Sequence, residues 1–250
     1  MKVKKEFKII WGEDLYFFGP RDYFKNTLIV KKVKNFLKSG KNVLDFGCGC
    51  GNLAIRLANL GYYVTAYDIS PLCLKILEKR IENTSLRIKI VQDEKELIKM
   101  ENFFDCICAG EVLEHIKNDR ETLILWRNLL KNKGLCIITV PAKQKYWDIS
   151  DKAASHFRRY EKEEIINLFK ITGFKIKTFY CFGPITFFWH KFIFIPVLKQ
   201  KLMKRAHLPR NLFKMDSLKK FISYIFYFDF LFLKFNIWNS YLIVAQKNEK

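Results

Sequence analysis

The sequence predicts an α/β fold: a largely parallel sheet with helices between its strands. Three observations carry this. Val43–Phe46 reads as a short buried strand that runs into a glycine loop and then a helix over about Asn52–Asn59. Apolar strand-like runs and helix-period runs then alternate as far as residue 180, the signature of βαβ units. Finally, Leu135–Val140 is a continuous apolar run, as expected of a strand covered on both faces.

The glycine loop organises the rest. Gly47, Gly49 and Gly51 let the chain turn sharply and let a ligand approach the backbone without meeting a Cβ. The following helix offers unpaired N–H groups in its first turn. A dinucleotide fingerprint needs G-x-G-x-x-G. Counted from Gly47 the third glycine is replaced by Asn52; counted from Gly49 it is replaced by Ala54, a tolerated variant. What fits is D-x-G-x-G-x-G beginning at Asp45. A carboxylate at that point suits a positively charged ligand better than a pyrophosphate. The run resembles motif I of the class I S-adenosylmethionine-dependent methyltransferases. The resemblance implies a Rossmann-like, seven-stranded mixed sheet whose last strand is antiparallel, and S-adenosyl-L-methionine as cofactor. Asp45, Gly47, Cys48, Gly49 and Gly51 would line its site.

Composition bounds the class. The chain has 250 residues, half of them hydrophobic, enough for one full α/β domain and an embellishment. The charged start, Met1–Glu6, lacks the apolar core of a signal peptide. With seven cysteines, an odd number, reduced thiols and a cytoplasmic location are expected rather than a disulfide framework. No His/Cys group has zinc spacing, so no metal is expected. The net charge of +20 implies attraction to something anionic, such as a phospholipid surface or a phosphorylated substrate. No RNA-binding module is recognisable, and nucleic acid is an unlikely partner.

Along the chain, residues 1–40 read as a lead-in with a helix over Asn26–Lys38, closed by Gly40. In methyltransferases of the resembled type such a helix packs beside the cofactor; Tyr16 and Arg21 either reach the site or serve packing and solvation. Val64–Tyr67 is the second strand, with Asp68 at its tip. An acid there chelates ribose hydroxyls; the alternative is a cap for the helix that Ile69, Ser70 and Pro71 open and that runs to Ile81. Ile69 joins the cofactor-binding set. Ser85–Val91 is the third strand, followed by Asp93, which in the resembled family meets the adenine amino group but here sits in a charged run that also suits a solvated loop.

Phe103–Ile116 holds a strand, a turn and Glu111-Val-Leu-Glu114-His115. It resembles motif IV of the ubiquinone/menaquinone-type methyltransferases (types 11 and 12). That places Ala109 and Gly110 against the methionine part of the cofactor and Glu111 near the transferring methyl, with Glu114 and His115 beginning a helix. Leu123–Leu130 is a further helix. His156-Phe-Arg158-Arg159-Tyr160 follows the fifth strand, just before a helix over Lys162–Ile171. This H-x-R-R-Y loop resembles a subset linked to polysaccharide or lipid-linked sugar pathways. For transfer to oxygen, His156 and Glu111 are the candidate general bases. Arg158, Arg159 and Tyr160 either hold substrate or form a helix entry in which the arginines pair with Glu161, Glu163 or Glu164.

Phe174–Tyr180 is the sixth strand and Ser240–Gln246 the last. Residues 183–239 lie between them as an insert, and 41–182 with 240–250 form the main domain. An antiparallel last strand starts from the edge where strand six ends, so the insert leaves and returns on the rim of the site. It carries ten Lys or Arg against two acids and two apolar runs, neither long enough to be a convincing membrane span. It is expected to be a helical cap, or a cap that also lies on an anionic membrane surface. The functional expectation is therefore a methyltransferase acting on a small-molecule or lipid-linked hydroxyl acceptor, cytoplasmic and peripheral at the inner face of the membrane. The absence of an Asn/Asp-Pro-Pro-Tyr/Phe tetrapeptide after strand four argues against methylation of DNA amino groups. Alternatives are a non-catalytic membrane-surface protein on the same fold and, less favoured, an NAD-type oxidoreductase.

Overall fold

The computed structural model describes residues 19–196, 221, 224–226, 228 and 239–249. Tyr16 and the basic segment 199–210 lie outside the described residues.

Seven strands form one sheet: β1 (Asn42–Phe46), β2 (Tyr63–Tyr67), β3 (Ile88–Val91), β4 (Phe104–Gly110), β5 (Leu130–Pro141), β6 (Phe174–Phe182) and β7 (Ser240–Lys247). Their spatial order is β3-β2-β1-β4-β5-β7-β6. The first five are parallel, and β7 runs antiparallel between β5 and β6. The strand order reverses between β1 and β4, so the crevice at their carboxyl ends is the place for a ligand.

Helices cover both faces. On one lie α1 (Pro20–Phe36) and α2 (Asn52–Ala58), packing Leu28, Ile29, Val33, Leu53 and Leu57 against Val43, Cys108 and Val244. On the other, α5 (Asp119–Leu129) and α7 (Lys162–Ile171) pack Trp126, Ile165 and Phe169 against Leu44, Ile107 and Ile243. Successive strand residues go to opposite faces, so each strand feeds both layers. The remaining helices are α3 (Pro71–Ile81), α4 (Glu94–Ile98), α6 (Ile149–Ala153) and α8 (Pro184–Trp189).

Besides shifts of two to four residues at the ends of β3, α5 and β6, three differences from expectation bear on the site. Helix α1 starts at Pro20, not Asn26: Gly19 is its N-cap, Pro20 supplies a pre-set φ, and Asp22 accepts the Gly19 N–H at 3.3 Å. It is part of the domain core and not a separate lead-in. Helix α5 ends at Leu129 and the chain enters β5 at Leu130, five residues before the apolar run, with an irregular register against β4 between Phe104 and Cys106. After Glu111 no α-helix begins; Leu113–His115 makes one 3₁₀ turn, and α5 starts at Asp119.

Helix α8 passes directly into a π-helical turn over His190–Phe194. Among the described residues no helix is long and apolar enough to cross a membrane.

Candidate active site

The glycine loop is held shut by its neighbours. The Gly47 and Cys48 N–H groups donate to the Tyr67 carbonyl at 2.8 and 2.9 Å, and Gly51 N–H donates to Cys48 at 2.9 Å. Asp68, at the tip of β2, accepts from Gly49 N–H and from Ser70 N–H, both at 2.8 Å. These amides are spent on closing the loop and tying it to β2. The helix-cap alternative for Asp68 fails, because Ser70 caps α3. Asp68 instead ties the loop to β2, and each of its oxygens keeps acceptor capacity beyond the bond it makes here.

The three loop glycines have different reasons to be glycine. A Cβ on Gly47 would lie 2.6 Å from Val112, and one on Gly51 would lie 2.2 Å from Leu77. A Cβ on Gly49 would meet nothing within 4 Å. That open volume lies on the loop that Asp68 ties down, next to the 80 % exposed Ile69. Asp45 is 2 % exposed, its Oδ2 has no hydrogen-bond partner, and burial pushes its carboxyl up to about 7. The Ala54 N–H bonds to this carboxyl, and the unpartnered Oδ2 fits the ammonium of a methionine-type ligand. Asp93 is exposed and caps α4, accepting from Lys95 N–H at 2.9 Å.

Ala109 is buried at the end of β4, and Gly110 faces α1, where a Cβ would lie 3.3 Å from Ile29. Glu111 follows with φ +58°, a left-handed backbone that is strained for a residue with a side chain. Its Oε2 pairs with Lys25 and lies 3.9 Å from Arg21; its Oε1 has no partner. Burial pushes this carboxyl up, but the charges of Lys25 and Arg21 outweigh it and hold Glu111 below the usual carboxylate range. Glu111 is thus a neutralised anion and a poor proton acceptor, which corrects its assignment as a base.

His156 stands on the loop after β5. Its Nδ1 lies 2.8 Å from Asp151 and its Nε2 lies 3.9 Å from Glu114. The His115 ring meets it edge-to-face at 4.6 Å. Glu114 is fully buried, both its oxygens lack partners, and burial, with Glu111 nearby, pushes its carboxyl well up. Glu114, His115 and His156 bring one ligand atom each within 4.8 Å of one another, the one such group among the described residues.

The other half of the H-x-R-R-Y loop does not face the crevice. Arg159 is 6 % exposed and pairs with Asp151 at 2.9 Å. Arg158 pairs with Asp119 at 2.6 Å, and the fully buried Tyr160 donates its hydroxyl to the same carboxylate at 2.9 Å. This corrects the assignment of Arg158, Arg159 and Tyr160 as substrate contacts. It also corrects the helix-entry alternative, since the arginines pair with Asp119 and Asp151 rather than with the glutamates at 161, 163 and 164.

Several residues of the rim carried little signal in the sequence. Lys25 falls just before the expected helix, Arg21 is expected either to reach the site or to be solvated, and His190 sits in the insert. His190 is 3 % exposed; its Nδ1 accepts from Arg21 at 3.0 Å, and its Nε2 faces Asp148 at 3.1 Å. The insert is thereby tied to α1 and to the loop after β5.

This fold and crevice define a class I S-adenosylmethionine-dependent methyltransferase. The chain belongs to the family described as methyltransferase domain, which matches residues 21–178. It is 36 % identical over 111 residues to a ubiquinone biosynthesis O-methyltransferase of Glaesserella parasuis, covering 40 % of this chain and 45 % of that one. It is 32 % identical over 104 residues to the mitochondrial enzyme of the same description from Schizosaccharomyces pombe, covering 40 % and 38 %. The chain spans about half or less of the length of these curated relatives. In fold it is similar to phosphoethanolamine N-methyltransferase 2 of Haemonchus contortus in complex with S-adenosyl-L-methionine: TM-score 0.64, 19 % identity, 98 % of this chain and 56 % of that one.

Proposed function

We propose that this methyltransferase methylates a hydroxyl group on a small-molecule or lipid-linked acceptor. The observation that carries the reading is His156. Its Nδ1 is engaged by Asp151, while its Nε2 makes no hydrogen bond among the described residues and lies at the rim beside the turn after β4. A hydroxyl must lose its proton as it becomes an ether, and an imidazole with one free nitrogen is suited to take it.

The bound donor supplies an electrophilic methyl on a positively charged sulfur. This chain's residues do the rest. Asp45 and the loop from Gly47 to Gly51 seat the amino-acid part, Asp68, Ile69 and Asp93 the nucleoside, and Ala109 and Gly110 close against the methionine chain. Lys25 and Arg21 fix Glu111, so the strained turn holds one shape. Positioning of acceptor and donor supplies most of the acceleration.

The lipid-linked part of the reading is supported by the insert. Phe188, Phe192, Phe221, Tyr224 and Phe228 are each more than half exposed, and Phe188 and Phe192 stack at 5.7 Å beside Lys191. Exposed aromatics with basic residues, in a segment joined to the rim of the crevice, suit an anionic membrane surface. On this reading the protein is cytoplasmic and peripheral at the inner face of the membrane.

The test is mass spectrometry of lipid-linked sugars and quinone precursors incubated with the protein and methyl-labelled donor. A gain of one labelled methyl on a hydroxyl is expected. Methylation only of amines, or only of water-soluble acceptors, would overturn the corresponding half of the reading.

A further inference from the structure

The residues preceding His156 form a buried arrangement that the proposed reaction has not yet used. Asp151, in α6, is completely buried. Arg159 donates to both its oxygens from Nε at 2.9 Å and again from its terminal nitrogen at 2.9 Å. The Asp148 N–H donates to it at 2.8 Å, and His156 Nδ1 lies 2.8 Å away. The Asp151 backbone carbonyl also accepts the His156 N–H at 2.9 Å. One residue therefore holds His156 by backbone and side chain together.

We propose that Asp151, paired with Arg159, is the positioning residue that fixes His156 as its Nδ1–H tautomer and presents Nε2 to the acceptor hydroxyl. An ionised carboxylate can only accept, so the 2.8 Å contact requires the proton on Nδ1 and leaves the lone pair on Nε2. The wall facing Nε2 contains Glu114, whose two oxygens have no hydrogen-bond donor. Glu111 and His115, on the same turn, are the other ionisable groups facing the ring. The H-x-R-R-Y loop thus divides by function: His156 faces the acceptor, Arg159 secures the group behind it, and Arg158 with Tyr160 anchors the loop to Asp119.

This inference rests on the hydroxyl-methylation reading. In the reaction the acceptor oxygen bonds to the methyl carbon as the sulfur–carbon bond breaks, with that bond's electron pair left on sulfur. The hydroxyl proton passes to His156 Nε2, and the imidazolium then loses it to solvent. Asp151 stays ionised throughout.

The experiment is nitrogen-15 NMR of the histidine rings in the whole chain, with His156 assigned by comparison with His156→Gln. S-adenosylhomocysteine binding, measured by calorimetry, tests the cofactor reading separately. With the cofactor product bound, wild-type His156 should show a single neutral tautomer, protonated at Nδ1. Replacing that ligand with sinefungin, whose protonated amine stands where the methyl would be, should shift the Nε2 resonance. Asp151→Asn should lose the single tautomer while its S-adenosylhomocysteine affinity is retained. An Nε2–H tautomer in the wild type overturns the inference even if the variant fails to fold, and so does an Nε2 resonance indifferent to sinefungin. Selective broadening of His156 by Mn²⁺ would also overturn it, since Nε2 would then be a metal ligand rather than a base.

Discussion

Lys25 and Glu111 are 86 residues apart in the chain and form a buried ion pair, with the lysine side chain 3 % exposed. The pair joins α1 to the turn after β4. It neutralises the acid that the sequence offered as a base and makes α1 a wall of the site.

Removing one member of that pair leaves the other charge buried. Lys25→Met should destabilise the protein by roughly 3–5 kcal/mol, read by urea denaturation at neutral pH. The pH dependence has a definite sign. The folded Glu111 carboxyl lies below its ordinary value, so its contribution is full above the unfolded carboxylate range and is lost as pH falls through the lowered folded value. The variant should lose that part of the acid dependence.

Asp45 runs the other way. Its folded carboxyl is raised to about 7, so its contribution to stability is full below its unfolded value and is lost as pH rises through about 7. Ionising it in the empty site costs roughly a few kcal/mol. Asp45→Asn should therefore stabilise the unliganded protein at alkaline pH and weaken donor binding. In the wild type, S-adenosylmethionine affinity should increase as pH rises through about 7, and in the variant that increase should be absent, as calorimetry at several pH values will show.

Three alanine substitutions separate packing from binding in the glycine loop. Gly47→Ala and Gly51→Ala place a methyl against Val112 and Leu77 at positive φ, and each should cost roughly 2–4 kcal/mol of stability. Gly49→Ala meets open space and should cost only the left-handed backbone term, about 1–2 kcal/mol. Its larger effect should be on donor affinity, which the other two change less per unit of lost stability.

Tyr160→Phe removes a buried hydroxyl from Asp119 and should cost about 1–2 kcal/mol in thermal unfolding. The acceptor KM should be unchanged, because the ring does not reach the crevice.

Phe188→Glu with Phe192→Glu should abolish cosedimentation with phosphatidylglycerol-containing vesicles, with S-adenosylhomocysteine affinity unaltered. Retained vesicle binding would remove the insert from the membrane reading.

The sheet was legible because apolar runs and glycine punctuation mark each strand. Starts and ends were less so. The beginning of α1 was masked by Arg21, Asp22 and Lys25, although Gly19-Pro20 carries the initiation signal. The beginning of β5 was masked by Lys131, Asn132 and Lys133, which sit in a strand without resembling one. At the site, motif I placed the loop well. The H-x-R-R-Y motif misled because the partners of Arg158 and Tyr160 lie about forty residues upstream at Asp119, a distance over which local patterning says nothing. Asp151 was near enough to notice, but Asp148-x-x-Asp151 reads as a capping box, which it also is.

Asn239, immediately before β7, accepts the Ala142 N–H at 2.8 Å, and Ala142 opens the loop that carries His156. The stretch from 183 to 239 is therefore not an interchangeable module. A chimera that swaps it for a relative's segment must keep the junction at Asn239 and Ser240. A junction shifted by one residue would re-register the imidazole loop and silence a protein whose donor pocket was never touched.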